Sequence, residues 1–251
     1  MDRGFVGKLA FPSANVSDRI EKTFTSVNFN MMIMVIYALI TIAIFGMWYY
    51  ARYEGNFLPS PKKTFNPMML VAIVILVPGT QFAANFIANL TGYIRPDWLQ
   101  QYNELFETSG ITDTTFVTVL YSVILAPICE ELIFRGVTMR CARKALPFAL
   151  ANLIQAALFG LFHLNWIQGI YAFALGIVLG YVCERGGSIY YSIGLHLLFN
   201  LWGTLSGFFP DPGNSVVIFV IVIAVTIVSL VVGFVLFNKG RRKLPINSTG
   251  I

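Results

Sequence analysis

Seven apolar runs, several of them close to or beyond the roughly 20 residues a helix needs to cross about 30 Å of hydrocarbon, constrain this chain more than any other feature. They fall at about 30–49, 68–90, 115–137, 148–163, 167–183, 189–208 and 216–237. In lipid every backbone N–H and C=O must find a partner inside the protein, so such runs fold as helices. With 57% hydrophobic and 12% charged residues and a mean hydropathy of +0.71, the 251 residues fall outside the soluble globular range. The expected fold is all-α: a polytopic transmembrane helix bundle of seven or eight membrane segments.

The punctuation between runs divides the chain. Residues 1–29 mix charge and aromatics, including Arg3, Phe5, Lys8, Phe11, Arg19, Lys22 and Phe24, without an apolar stretch long enough for a signal-peptide core, and read as an interfacial leader. Residues 30–238 form the transmembrane domain and 239–251 a basic tail. Trp48-Tyr49-Tyr50 closes the first run as an interfacial aromatic belt. Pro78-Gly79 would interrupt the second helix unless neighbours take up the freed backbone groups. The stretch 91–113 reads as a wet, acidic loop, with Asp97, Glu104, Glu107 and Asp113 against Arg95.

Lys239, Arg241, Arg242 and Lys243 after the last run mark a cytoplasmic side. Counting back through seven spans places Arg52, Lys62 and Lys63, and likewise Arg140, Arg143 and Lys144, on that side, with the acidic stretch opposite. The same count puts the basic leader outside, against the rule, and an eighth short re-entrant or interfacial element early in the chain would reconcile it. The net charge of +5 thus suits orientation and contact with anionic membrane lipids. No basic cluster is interleaved with aromatics as nucleic-acid binding requires. The odd set of Cys129, Cys141 and Cys183 has no CxxC spacing and argues against a disulfide framework.

Inside the apolar runs the ionisable groups are few. Glu130, Glu131 and Arg135 lie in the third run, and the chain's two histidines, His163 and His196, lie at or within the fourth and sixth. Such groups are costly in a bilayer and point to function. A lone histidine on an apolar helix is usually a hydrogen-bonded packing residue; the set taken together is harder to explain that way. Glu131 and Arg135 are four apart, hence on one helical face, whereas Glu130 turns about 100° away and stays free to face a cavity. His196 and Asn200, and Phe159 and His163, repeat the spacing of four. A carboxylate beside imidazoles can take a proton from water, with or without a metal holding that water.

Glu130-Glu131-x-x-x-Arg135, Phe159-x-x-x-His163, Phe173-x-x-Gly176-x-x-x-Gly180 and His196-x-x-x-Asn200, in order on successive apolar runs, resemble the motifs of the CAAX protease and bacteriocin-processing (CPBP, or Abi) family. The resemblance spans about residues 115–208. It implies an intramembrane endopeptidase of about eight helices, in a family that includes CAAX prenyl endopeptidases and bacterial proteins linked to peptide maturation and bacteriocin self-immunity. It further implies that Glu130 activates water, that Arg135 fixes Glu131, and that His163, His196 and Asn200 polarise the scissile carbonyl, stabilise the oxyanion or hold a divalent metal. Glu130, His163 and His196 could supply three ligands to Zn²⁺; a metal-free glutamate protease stands beside that reading.

Three functions remain open on sequence. The first is proteolysis of a membrane-associated substrate, either a lipidated C-terminal tail or the leader of a secreted peptide. The second is a non-enzymatic immunity or scaffold protein that keeps the site. The third, a proton-coupled transporter, would spread its ionisable groups over several depths, whereas here they belong to one group of segments. Gly176 and Gly180 read as helix packing. The expected location is a bacterial cell membrane with the C-terminus cytoplasmic.

Overall fold

The structure, a computed structural model, describes residues 27–57, 65–109, 115–206 and 215–241. The leader ahead of residue 27, Lys62, Lys63, Asp113, the turn around Pro210 and the basic residues beyond Arg241 lie outside the described residues, as do the side chains of Arg52 and Glu107. Within them the chain forms eight helices and no strand: α1 (Val27–Phe57), α2 (Pro67–Ile94), α3 (Pro96–Ser109), α4 (Phe116–Arg143), α5 (Phe148–Phe162), α6 (Trp166–Gly186), α7 (Ile189–Ser206) and α8 (Val216–Arg241). Each of the seven apolar runs is a helix. Five of them, α1, α2, α4, α6 and α8, are long and apolar enough to cross a membrane. Helix α5 is shorter, and α7 places His196 and Asn200 in the middle of its apolar run.

The eighth helix differs from expectation. It is α3, inside the stretch read as a wet loop; an additional element in the leader would fall outside the described residues. Pro96 begins it, Asp97 suits the positive end of its first turn, and Trp98 stacks on Trp166 at the start of α6, with ring centroids 5.4 Å apart. Trp98, Leu99, Tyr102, Leu105 and Phe106 recur at helical spacing on a segment otherwise polar, the pattern of a helix lying on a surface. Arg95 caps the Trp98 ring at 4.2 Å and donates to Asp97 at 2.9 and 2.6 Å. That guanidinium holds the Asp97 carboxyl below the ordinary carboxylate range.

Helix α2 continues through Pro78, and the reason lies on α8. Ser229 Oγ accepts from the Gly79 backbone N–H at 3.0 Å and donates to the Ile75 carbonyl, so the hydroxyl inserts into the ladder that the proline opens. Met69, Ala72, Ile73 and Leu76 of α2 are almost wholly buried. Gly233 and Gly240 allow this approach, since a Cβ on either would lie 2.6 Å from Leu76 or Met69 side-chain carbon. Small residues substitute here for the hydrophobic drive that lipid does not supply. Helices α5 and α6 pack by the same device: a Cβ on Gly160 would stand 2.5 Å from the Gly169 carbonyl oxygen, and one on Gly176 would stand 3.1 Å from Ala156.

Helix α4 is not a regular α-helix. Two π-helical stretches, Leu120–Leu125 and Leu132–Met139, bracket the α-helical Ala126–Glu131. Such widened turns re-aim side chains and recur at functional sites. Chain direction alternates through the bundle, so the C-terminal ends of α1, α4, α6 and α8 meet the N-terminal ends of α2, α5 and α7. Arg143 pairs with Glu184 at 3.2 Å, Arg140 donates to Tyr49 Oη at 3.2 Å, and Asn66 donates to the Gly240 carbonyl at 3.1 Å. Arg140, Arg143, Lys144, Arg185, Lys239 and Arg241 therefore share one end of the bundle, as the charge count along the sequence anticipates. Arg95, Asp97 and Glu104 lie at the other.

Candidate active site

The site grows from α4. Glu131 and Arg135, both fully buried, form the expected i to i+4 pair, Nη1 to Oε1, at 2.8 Å. Arg135 also donates to the Gly176 carbonyl of α6 at 3.2 Å and lies over the Phe159 ring at 4.5 Å. A buried guanidinium needs this many partners, because a charge removed from water without them is strongly penalised.

His196 of α7 lies between the two carboxylates. Its Nδ1 is 2.9 Å from Glu131 Oε1 and its Nε2 is 3.6 Å from Glu130 Oε2. A carboxylate only accepts, so Nδ1–H donates to Glu131, which fixes the ring and turns Nε2 toward Glu130. The two adjacent glutamates thus receive different surroundings. Glu131 is sealed between Arg135 and His196, while the Glu130 side chain retains 14% of its exposure.

His163 follows the last residue of α5. Its Nδ1 is 2.8 Å from the Phe159 carbonyl oxygen, another group that only accepts, so Nδ1 carries the proton and Nε2 is left for other chemistry. The Phe159 ring meets His163 edge-on at 4.9 Å, His196 at 5.7 Å and Phe134 at 5.1 Å, so it is a hub rather than one wall. Asn200, one turn beyond His196, donates one amide hydrogen to the Ser122 carbonyl at 2.8 Å in the first π-helical stretch of α4. Glu130, Glu131, Arg135 and His196 form one connected cluster, to which Phe159 joins His163. Asn200 reaches it along α7.

Sequence reading missed the support behind this cluster. Gln155 is fully buried and donates to the Gly176 carbonyl at 2.9 Å, the same oxygen that Arg135 uses, and to Asn152 Oδ1 at 2.7 Å. Asn152 in turn donates to the Ile177 carbonyl at 3.1 Å. The signal was present, since Asn152 and Gln155 are polar residues in an apolar run. Gly176 is also more than a packing device: its carbonyl accepts from the arginine of the site. Gly180 leaves room for these amides, because a Cβ there would stand 1.9 Å from Asn152 Oδ1.

The expected zinc set fits in part. His196 Nε2 and Glu130 Oε2 are close enough to share one ion, but the described residues contain no group of three or more His, Cys, Asp or Glu arranged to hold a metal.

Residues 112–202 match the family model of the Rce1-like type II CAAX prenyl endopeptidases. The match is consistent with the CAAX protease and bacteriocin-processing resemblance of the four motifs, and it supports an intramembrane endopeptidase in general terms. The Rce1-like segment begins just ahead of α4 and ends within α7, so it takes in every residue of the cluster. Helices α1, α2, α3 and α8 lie outside it. No curated protein and no solved structure matches the chain.

Proposed function

We propose that the protein is an intramembrane endopeptidase in which Glu130 is the general base that activates water against a peptide bond of a membrane-associated substrate. The observation that carries this reading is the division of labour between the two carboxylates: Arg135 neutralises Glu131 at 2.8 Å, whereas Glu130 lies 3.6 Å from His196 Nε2 and is partly open. Glu130 takes a proton from water, the hydroxide attacks the scissile carbonyl, and the protonated carboxyl returns the proton to the leaving amine. Glu131 holds the His196 ring, and as an imidazolium that ring can donate from Nε2 to the developing oxyanion. His163 Nε2 and the second amide hydrogen of Asn200 are the other candidate partners of the scissile group. Zn²⁺ would be held by His196 and Glu130 and would polarise the water or the carbonyl; no step above depends on it.

The test is cleavage of a peptide library by the detergent-solubilised protein and its Glu130→Ala variant. Cleavage by the parent and none by Glu130→Ala is expected. A variant that still cleaves would overturn the assignment, and a parent that cleaves nothing would favour the non-enzymatic immunity or scaffold reading. Chelation separates the two chemistries: activity lost and restored by Zn²⁺ assigns an ion to the site, while activity retained leaves the water to Glu130 alone.

A further inference from the structure

The exposure of the site runs in one direction. Arg135 and Glu131 are sealed, and behind them, toward the basic end, Gly136, Met139, Tyr191 and Ser192 are buried as well. The ties between Arg143 and Glu184 and between Arg140 and Tyr49 close that end further. In the other direction His196 is still buried, Glu130 is partly open, and His163 and Asn200 are half-buried. His163 marks the end of α5 distant from the basic residues. The next residue, Leu164, is 94% exposed in a left-handed turn (φ 52°) that a branched side chain enters at a cost. Trp166, also exposed, then stacks on Trp98 of α3. Since α3 carries Asp97 and Glu104 and is too polar to cross a membrane, its contact with Trp166 sets the level of the surface on this side, within a turn or so of His163.

We infer that the site is entered from the acidic end of the bundle, past the His163–Trp166 turn and beside α3, and that its substrate is a peptide segment presented at the extracytoplasmic surface. Glu130, His163 and Asn200, the partly open groups of the site, lie on that side of the buried Arg135 cluster. The six basic residues at the opposite end place that end in the cytoplasm. The substrate class rests on the endopeptidase reading above; the direction of entry does not.

Cysteine accessibility tests it. The native Cys141 is exposed at the basic end, whereas Cys129 and Cys183 are buried. Leu164→Cys and Glu130→Cys, each combined with Cys141→Ser, report the acidic end and the site. A membrane-impermeant methanethiosulfonate is applied to spheroplasts and to inverted vesicles. Leu164→Cys and Glu130→Cys should react in spheroplasts and lose that reaction in inverted vesicles, with Cys141 of the parent behaving the opposite way. Glu130→Cys reacting only in inverted vesicles would overturn the inference in favour of a cytoplasmic tail as substrate, and reaction from neither side would overturn it too, because no open route would exist. Asn200→Cys, one turn nearer the acidic end, repeats the measurement should Glu130→Cys not fold. A Glu130→Ala protein that still cleaved would remove the protease reading and leave these accessibilities untouched.

Discussion

Glu130 and Glu131 are chemically identical neighbours, and only their partners distinguish them. Glu131→Gln removes the countercharge of a fully buried arginine, and breaking a buried pair by deleting one partner costs about 3–5 kcal/mol. Glu130→Gln removes a carboxylate that is partly open and makes no ion pair with Arg135. The expected outcome is therefore a separation of phenotypes. Glu130→Gln should unfold at the parent's temperature and fail to cleave, whereas Glu131→Gln should unfold at a clearly lower temperature, measured by thermal unfolding in detergent. Equal destabilisation by the two would contradict the split. This part of the site was legible from spacing, because a separation of four brings two side chains together on a helix whatever surrounds it. Gln155 and Asn152 were not legible in that way. Their role depends on which carbonyls α6 presents across the interface, and no spacing within α5 specifies a partner on another helix.

At the scale of the helix, the same distinction explains α2 and α3. Pro78 announces a broken ladder, but that the helix continues depends on Ser229, 150 residues beyond Gly79. Ser229→Ala takes away both the acceptor for Gly79 N–H and the donor to the Ile75 carbonyl. Leaving such buried groups unpaired costs about 1–3 kcal/mol, so Ser229→Ala should lower the thermal midpoint, and Ser229→Thr, which keeps the hydroxyl, should lower it less. An alanine variant as stable as the parent would mean that the proline kink needs no partner on α8. Helix α3 was misread for a different reason. Its charge and polarity resemble a loop when residues are counted, and its helical character shows only in the recurrence of apolar residues such as Trp98, which stacks on Trp166 of α6, and Leu99, which lies against Gly92 of α2. The π-helical stretches of α4 left no mark in the sequence reading, since the apolar run there looks like any other.

For the whole molecule, the alternation of apolar runs and basic edges already determined which helix ends lie together, because a chain crossing and recrossing a layer has no other choice of parity. What parity does not specify is how those ends are fastened. Tyr191, wholly buried on α7, fastens four helices together: its hydroxyl accepts from the Asn66 backbone N–H at the start of α2 at 2.9 Å, its ring meets Phe237 of α8 edge-on at 5.6 Å, and Gly186 at the end of α6 packs on it so closely that a Cβ there would lie 2.6 Å from the ring. Tyr191→Phe keeps the ring and removes the hydroxyl, and with it the hydrogen bond from Asn66 N–H at the meeting point of four helices. The loss should be near the 1 kcal/mol of a single hydrogen bond, rising toward about 3 kcal/mol to the extent that Asn66 N–H stays dry. Because Tyr191 lies on the sealed side of the Arg135 cluster, away from Glu130 and His163, cleavage at low temperature should be unchanged while the thermal midpoint falls. Measured together, an unaltered rate with a lowered midpoint would place Tyr191 in the scaffold. A lowered rate at a temperature where the variant is fully folded would show that the basic end of the bundle takes part in the chemistry, contrary to a site entered from the acidic end.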